Sequence, residues 1–188
     1  MALEETFADL VVKWRRLHDV FQALRITMVE DQPLSGGVLL IERCSDAVEN
    51  LFGWVEGGLA AAVEAQEAMG ATHDFNRARR ALIASQQRFG QLNDQFLEFT
   101  SFDQVTELMR FGRKRRGEWL AWVKTVRNAS AQCSVPMRDV RDTLVRAWHE
   151  LAEHAGTASV SVQTTTIGQQ ISTTTPEVHD GTAHNGLR

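Results

Sequence analysis

Eight apolar residues at the start of the chain, Leu3, Phe7, Leu10, Trp14, Leu17, Phe21, Leu24 and Met28, recur at alternating spacings of four and three. Such spacing is unbroken heptad periodicity. It puts one apolar stripe along about 40 Å of helix at ~1.5 Å rise per residue. A stripe that long must be buried against other helices, so it commits the chain to a helical bundle from its first turns. The pattern stops at Asp31-Gln32-Pro33, where proline disfavours helical geometry in the residue before it.

The same rhythm returns after the Ser35-Gly36-Gly37 turn, in Ile41, Cys44, Val48, Leu51, Val55, Gly58, Ala62, Ala65 and Met69. The pair Gly57-Gly58 sits in mid-helix, at a cost of roughly 1 kcal/mol per glycine relative to alanine. Small residues continue at Ala60, Ala61 and Ala62, so the reading is close packing against a bulky neighbour rather than a kink. A third helix opens at Asp74, a good N-cap, and its seam is Phe75, Ala78, Leu82, Ser85, Phe89, Leu92, Phe96 and Phe99.

Ser101-Phe102-Asp103-Gln104 reads as a capping box for a fourth helix through Val105, Leu108, Trp119, Trp122, Val126, Ala129 and Cys133. Gly112 and Arg115 interrupt that seam, which predicts a break across Gly112–Gly117. Ser134-Val135-Pro136 predicts the start of a further helix, because proline is tolerated in a first turn. Its seam of Met137, Val140, Leu144, Ala147 and Leu151 ends at Gly156, a natural residue to follow a helix C-terminus. The predicted fold is all-α: an elongated antiparallel bundle of four to five long heptad-patterned helices over residues 1–155.

Residues 156–188 are of another kind. The stretch Thr157–Pro176 carries no charged side chain. It is Thr-rich, and Val160, Val162, Ile167 and Ile171 are β-formers separated by small polar residues. A segment of this composition suits a disordered tether, a strand added to a partner's sheet edge, or a cross-β assembly. Val160, Val162, Ile167, Gly168, Gln169, Gln170 and Ile171 are therefore the leading partner-binding candidates.

Charge gives the second candidate. The net charge of −4 is unevenly spread, with acidic residues dominating up to residue 76 and basic ones from 77 to 127. Within the basic part, Arg110, Arg113, Lys114, Arg115 and Arg116 place five cations in seven residues. A cluster like this contacts phosphates, anionic lipid heads or acidic protein surfaces, and Trp119 and Trp122 nearby offer base-stacking rings. Against nucleic acid stands the sequence pI of 5.9, since such domains commonly lie above ~9. Arg77, Arg79 and Arg80 form a smaller basic group, whose plainer reading is a rim complementary to the acidic second helix.

Catalytic patterns are weak. Trp148–His154 superficially resembles a zinc-protease helix, but His149 and His154 are five apart, about 140° round the helix, where that chemistry needs i and i+4. Glu150–His154 and His149–Glu153 read as surface i,i+4 pairs. Cys44 and Cys133 fall on seam positions and read as buried reduced thiols. No phosphate-binding glycine pattern or nucleophile elbow occurs. The longest uncharged apolar runs fall far short of the ~20 residues that span a bilayer, and the acidic N-terminus has no secretory pattern. The expectation is a cytoplasmic, non-enzymatic interaction module without a cofactor or metal. Its partners would be proteins met through the tail or helix seams, or a second copy, with nucleic acid or an anionic membrane as the alternative.

Overall fold

The computed structural model describes residues 2–30, 38–101 and 113–154, and these form an all-α helical bundle. The helices are α1 (Ala2–Glu30), α2 (Val38–Thr72), α3 (Phe75–Ser101) and α4 (Arg113–His154). At 1.5 Å per residue they run from about 40 Å for α3 to about 63 Å for α4. Cross-helix pairs fix their directions. Arg25 meets Glu49, Arg77 meets Glu64 and Arg146 meets Asp9, so each helix runs antiparallel to its neighbours. Going round the bundle, α1 packs along α2 and α4, α2 packs along α3, and α3 meets α4 over the loosest of the four seams. That leaves α1 and α3 on one diagonal.

Burial follows the apolar periodicity closely. All eight apolar residues of α1 from Leu3 to Met28 are inside, as are Cys44, Val48, Leu51, Val55, Ala62, Ala65 and Met69 of α2. Ala78, Leu82, Ser85, Phe89, Leu92, Phe96 and Phe99 line α3. Phe75 departs from its expected core place: at the first residue of α3 it is 37% exposed, having no preceding turn to cover it.

The turn between α2 and α3 is two residues long. His73 takes a left-handed backbone conformation (φ 50°), and Asp74 then caps α3 by accepting the Arg77 N–H at 2.9 Å. The N-cap expected at Asp74 is thus present.

One expected helix boundary is absent: α4 runs through Pro136 without a break. Of the break expected across Gly112–Gly117, residues 113–117 are helical and Gly112 lies outside the described residues. Pro136 removes one backbone donor and costs ~3 kcal/mol in a helix interior. Burial of Met137, Val140 and Leu144, at about 1.5–3 kcal/mol each, exceeds that cost only if the seam continues in register with Cys133. The continuous helix keeps them in register with Cys133. Residues 102–112, which include Val105, Leu108 and the expected capping box, lie outside the described residues.

α3 gathers the indole hydrogen bonds of the other helices. Each of the other helices sends one indole N–H to a side chain on it: Trp14 to Ser85 Oγ (3.0 Å), Trp54 to Gln95 Oε1 (2.9 Å) and Trp148 to Gln86 Oε1 (2.8 Å). Ser85 in turn donates to the carbonyl of Gly58 at 3.3 Å. The room for the Trp14 ring comes from that glycine: a Cβ on Gly58 would lie 2.2 Å from Cη2 of the indole. Gly58 is therefore a site of close approach, as its small-residue surroundings suggest. Gly57 faces only the flexible Arg88 side chain, at 3.3 Å.

Candidate functional site

Arg113, Lys114, Arg115 and Arg116 form the first turn of α4. Helix N-termini carry partial positive charge, so cations there are disfavoured by about 0.3–1 kcal/mol each. Helix stability does not account for their position. The antiparallel pairs Asp9–Arg146 and Arg16–Asp139 put Glu30, the last residue of α1, level with about residue 125 of α4. The basic turn consequently stands about 14–18 Å beyond the end of α1. The side chains of these four residues lie outside the described ones, as does Arg110 entirely.

The neighbouring tryptophans do not serve that turn as stacking platforms. Trp119 and Trp122 are buried and pack edge-to-face, with centroids 5.4 Å apart at 79°. They belong to the core, which is where their seam positions put them.

The tail residues Val160, Val162, Ile167, Gly168, Gln169, Gln170 and Ile171 all lie outside the described residues. What the fold does establish is where the tail starts. Trp148 on α4 bonds Gln86 on α3, and the two helices run antiparallel, so His154 sits level with about Arg80 at the beginning of α3.

At that end of α4, His154 does not pair with the Glu150 carboxylate. Its Nδ1 lies 2.7 Å from the Glu150 main-chain carbonyl, a contact within its own helix. Among the described residues no ion pair joins His149 and Glu153, and Glu150 Oε2 is buried without a hydrogen-bond partner. The expected Glu150–His154 surface pair is therefore replaced by a backbone contact. No cluster of three metal-ligating side chains occurs among the described residues.

Cys44 and Cys133 are buried and not joined in a disulfide, and desolvation pushes their thiols up to about 11 and about 12. Neutral thiols are poor nucleophiles. Two shallow grooves complete the surface. One, of about 250 Å³ between α1 and α4, is lined by Asp9, Lys13, Asp139, Asp142, Thr143 and Arg146; Arg146 and Lys13 pair with Asp9, and Arg16 and Arg141 outside it pair with Asp139 and Asp142. The other, of about 400 Å³ between α2 and α3, includes Cys44, Asn50, Gln95 and Phe99. The second also holds Arg43, Asp46 and Glu98, but burial keeps its thiol protonated.

No described helix is long and apolar enough to cross a membrane. No family model, curated protein or solved structure matches this chain.

Proposed function

We propose that the chain is a non-enzymatic helical interaction module, in which the bundle is a stable mount and Val160–Ile171 is the linear contact element. The supporting observation is how the described body uses its side chains. Its apolar seams are inside, its tryptophans are hydrogen-bonded to α3 or stacked in the core, and the charges beside the α1–α4 groove are paired internally. Binding capacity then falls to the charge-free segment and to the basic turn Arg113–Arg116. The former suits strand addition to a protein partner, and the latter an acidic surface.

A direct test compares the full chain with a variant carrying Val162→Pro and Ile167→Pro, both immobilised and exposed to extract from the native host. Proteins retained by the first, lost from the second, and eluted by a peptide spanning residues 158–173 would bear the reading out. Equal retention by both would refute it.

A second reading takes the same residues as a self-assembly element, with the body acting on a membrane or nucleic acid through Arg113–Arg116. Its basis is the uncharged, Gln-containing composition of residues 157–176, which suits in-register stacking. Light scattering and amyloid-dye binding by the full chain, absent from the double-proline variant, would favour it over the first.

A further inference from the structure

The back of α3 carries a second ridge. Arg80, Ile83, Gln87, Gly90, Asp94 and Leu97 alternate at spacings of three and four, which keeps them on one side of the helix. The core side of α3 is occupied by Ala78, Leu82, Ser85 and Phe89, so this ridge faces outward. Ile83 is 37% exposed and Leu97 59% exposed, where the outer face of a bundle helix is ordinarily polar. Between them, a Cβ on Gly90 would meet nothing within 4 Å, so the backbone there is bare. Val145 of α4, 52% exposed, borders the same place: Gln86 accepts from Trp148, which puts Val145 level with about residue 89 of α3.

We infer that this ridge is the interface of a symmetric dimer, in which the α3 helices of two copies pack antiparallel about a two-fold axis beside Gln87. Charge complementarity identifies the occupant. Arg79 and Arg80 stand at one end of the ridge and Asp94 at the other, about 21 Å from Arg80 and out of its reach within one helix. Arg80 and Asp94 are exposed, and neither forms an ion pair with another described residue, in contrast to Arg25, Arg77 and Arg146. A two-fold axis beside Gln87 brings Arg80 of each copy level with Asp94 of the other, because both lie seven residues from it. A parallel pairing would instead set Arg80 against Arg80 and Asp94 against Asp94. The antiparallel arrangement also puts Ile83 within one residue of the second copy's bare Gly90. Leu97 comes within one turn of the level of the second copy's Phe75, which is 37% exposed. Each exposed large apolar residue of α3 thereby gains a neighbour.

The area is adequate. The face is about 40 Å long and, with the flank of α4, about 20 Å wide, or about 800 Å² per copy, the standard size of a specific interface. Its mixed polar and apolar make-up suits a reversible dimer rather than an obligate one. The interface draws on none of residues 157–176, so the dimer carries two copies of the contact element proposed above, and a bivalent partner gains from avidity.

Sedimentation equilibrium of the full chain between about 1 and 300 µM should show a reversible monomer–dimer equilibrium. Ile83→Glu should shift it towards monomer. Arg80→Glu and Asp94→Arg should each weaken the dimer by about two- to thirtyfold, since every substitution acts twice, and their combination should restore it. Gln87→Cys, beside the axis, should form a disulfide-linked dimer on mild oxidation, where Val12→Cys on α1 should not; the two native thiols are buried. Monomer at every concentration, or a dimer that Ile83→Glu and the single charge reversals leave unchanged, overturns the interface. A double reversal no better than the single ones overturns the antiparallel pairing. A dimer lost in the Val162→Pro and Ile167→Pro variant also overturns the assignment, since the ridge makes no use of those residues. None of these readings involves host proteins, so the result is separable from the pull-down above.

Discussion

The indole N–H of Trp14 ends 3.0 Å from the hydroxyl of Ser85, joining the two helices that sit on opposite corners of the bundle. Ser85 is fully buried and also donates to the Gly58 carbonyl, so a single hydroxyl serves three helices. Ser85→Ala leaves a buried N–H without an acceptor and is expected to cost about 1–3 kcal/mol. Urea unfolding of the variant gives the number. Adding Trp14→Phe should recover part of the hydrogen-bond loss while incurring a packing loss of its own, and strict additivity of the two would show that the bond contributes nothing.

The adjacent glycines of α2 separate intrinsic helix propensity from packing. Alanine at Gly57 meets only the flexible Arg88 side chain, so helix propensity dominates and the change is expected to be neutral or to stabilise by up to about 1 kcal/mol. Alanine at Gly58 meets the rigid Trp14 ring and is expected to destabilise by about 1–3 kcal/mol. Opposite signs in thermal unfolding are the diagnostic; equal effects would contradict the close approach.

Pro136 is buried in the middle of a 42-residue helix. Pro136→Ala relieves an interior penalty of ~3 kcal/mol and gives up about two buried methylenes at ~0.8 kcal/mol each. A net gain of about 1–2 kcal/mol is expected in chemical denaturation. Loss of stability instead would show that the ring's packing outweighs the missing donor.

Both thiols are held above their ordinary value of 9.0, to about 11 for Cys44 and about 12 for Cys133, because burial disfavours the thiolate. Above that ordinary value the folded chain keeps protons that the unfolded chain releases. Their contribution to stability is therefore complete below about pH 9 and declines as pH rises towards 11 and 12. A disulfide-exchange dye at pH 8 should report almost no reaction from the native protein and two thiols after unfolding. Cys44→Ala combined with Cys133→Ala should flatten the alkaline fall in stability.

The architecture was legible because each helix repeats its apolar residues often enough to outvote local exceptions. From Leu3 to Met28 every expected core residue is buried. A local signal misled where packing opposes it: Pro136 reads as an interruption, yet the buried run from Trp119 to Leu151 carries α4 through. Phe75 was misplaced for the converse reason, a seam position without a neighbouring turn to enclose it. The Trp14–Ser85 bond links residues 71 apart and has no sequence signal beyond a serine on an apolar stripe.

A repetitive seam has a weakness that a single irregular residue can cure. Chains whose apolar residues recur every seven positions can slide past one another by one repeat and still bury a similar surface. In this chain a one-repeat slip of α2 against α1 would bring Leu51 or Ala65 to the place of Gly58, opposite the Trp14 ring. Neither can admit an indole that already leaves no room for a methyl. Trp14 and Gly58 therefore act as key and keyhole: among many near-equivalent alignments of two greasy rods, they leave one that closes.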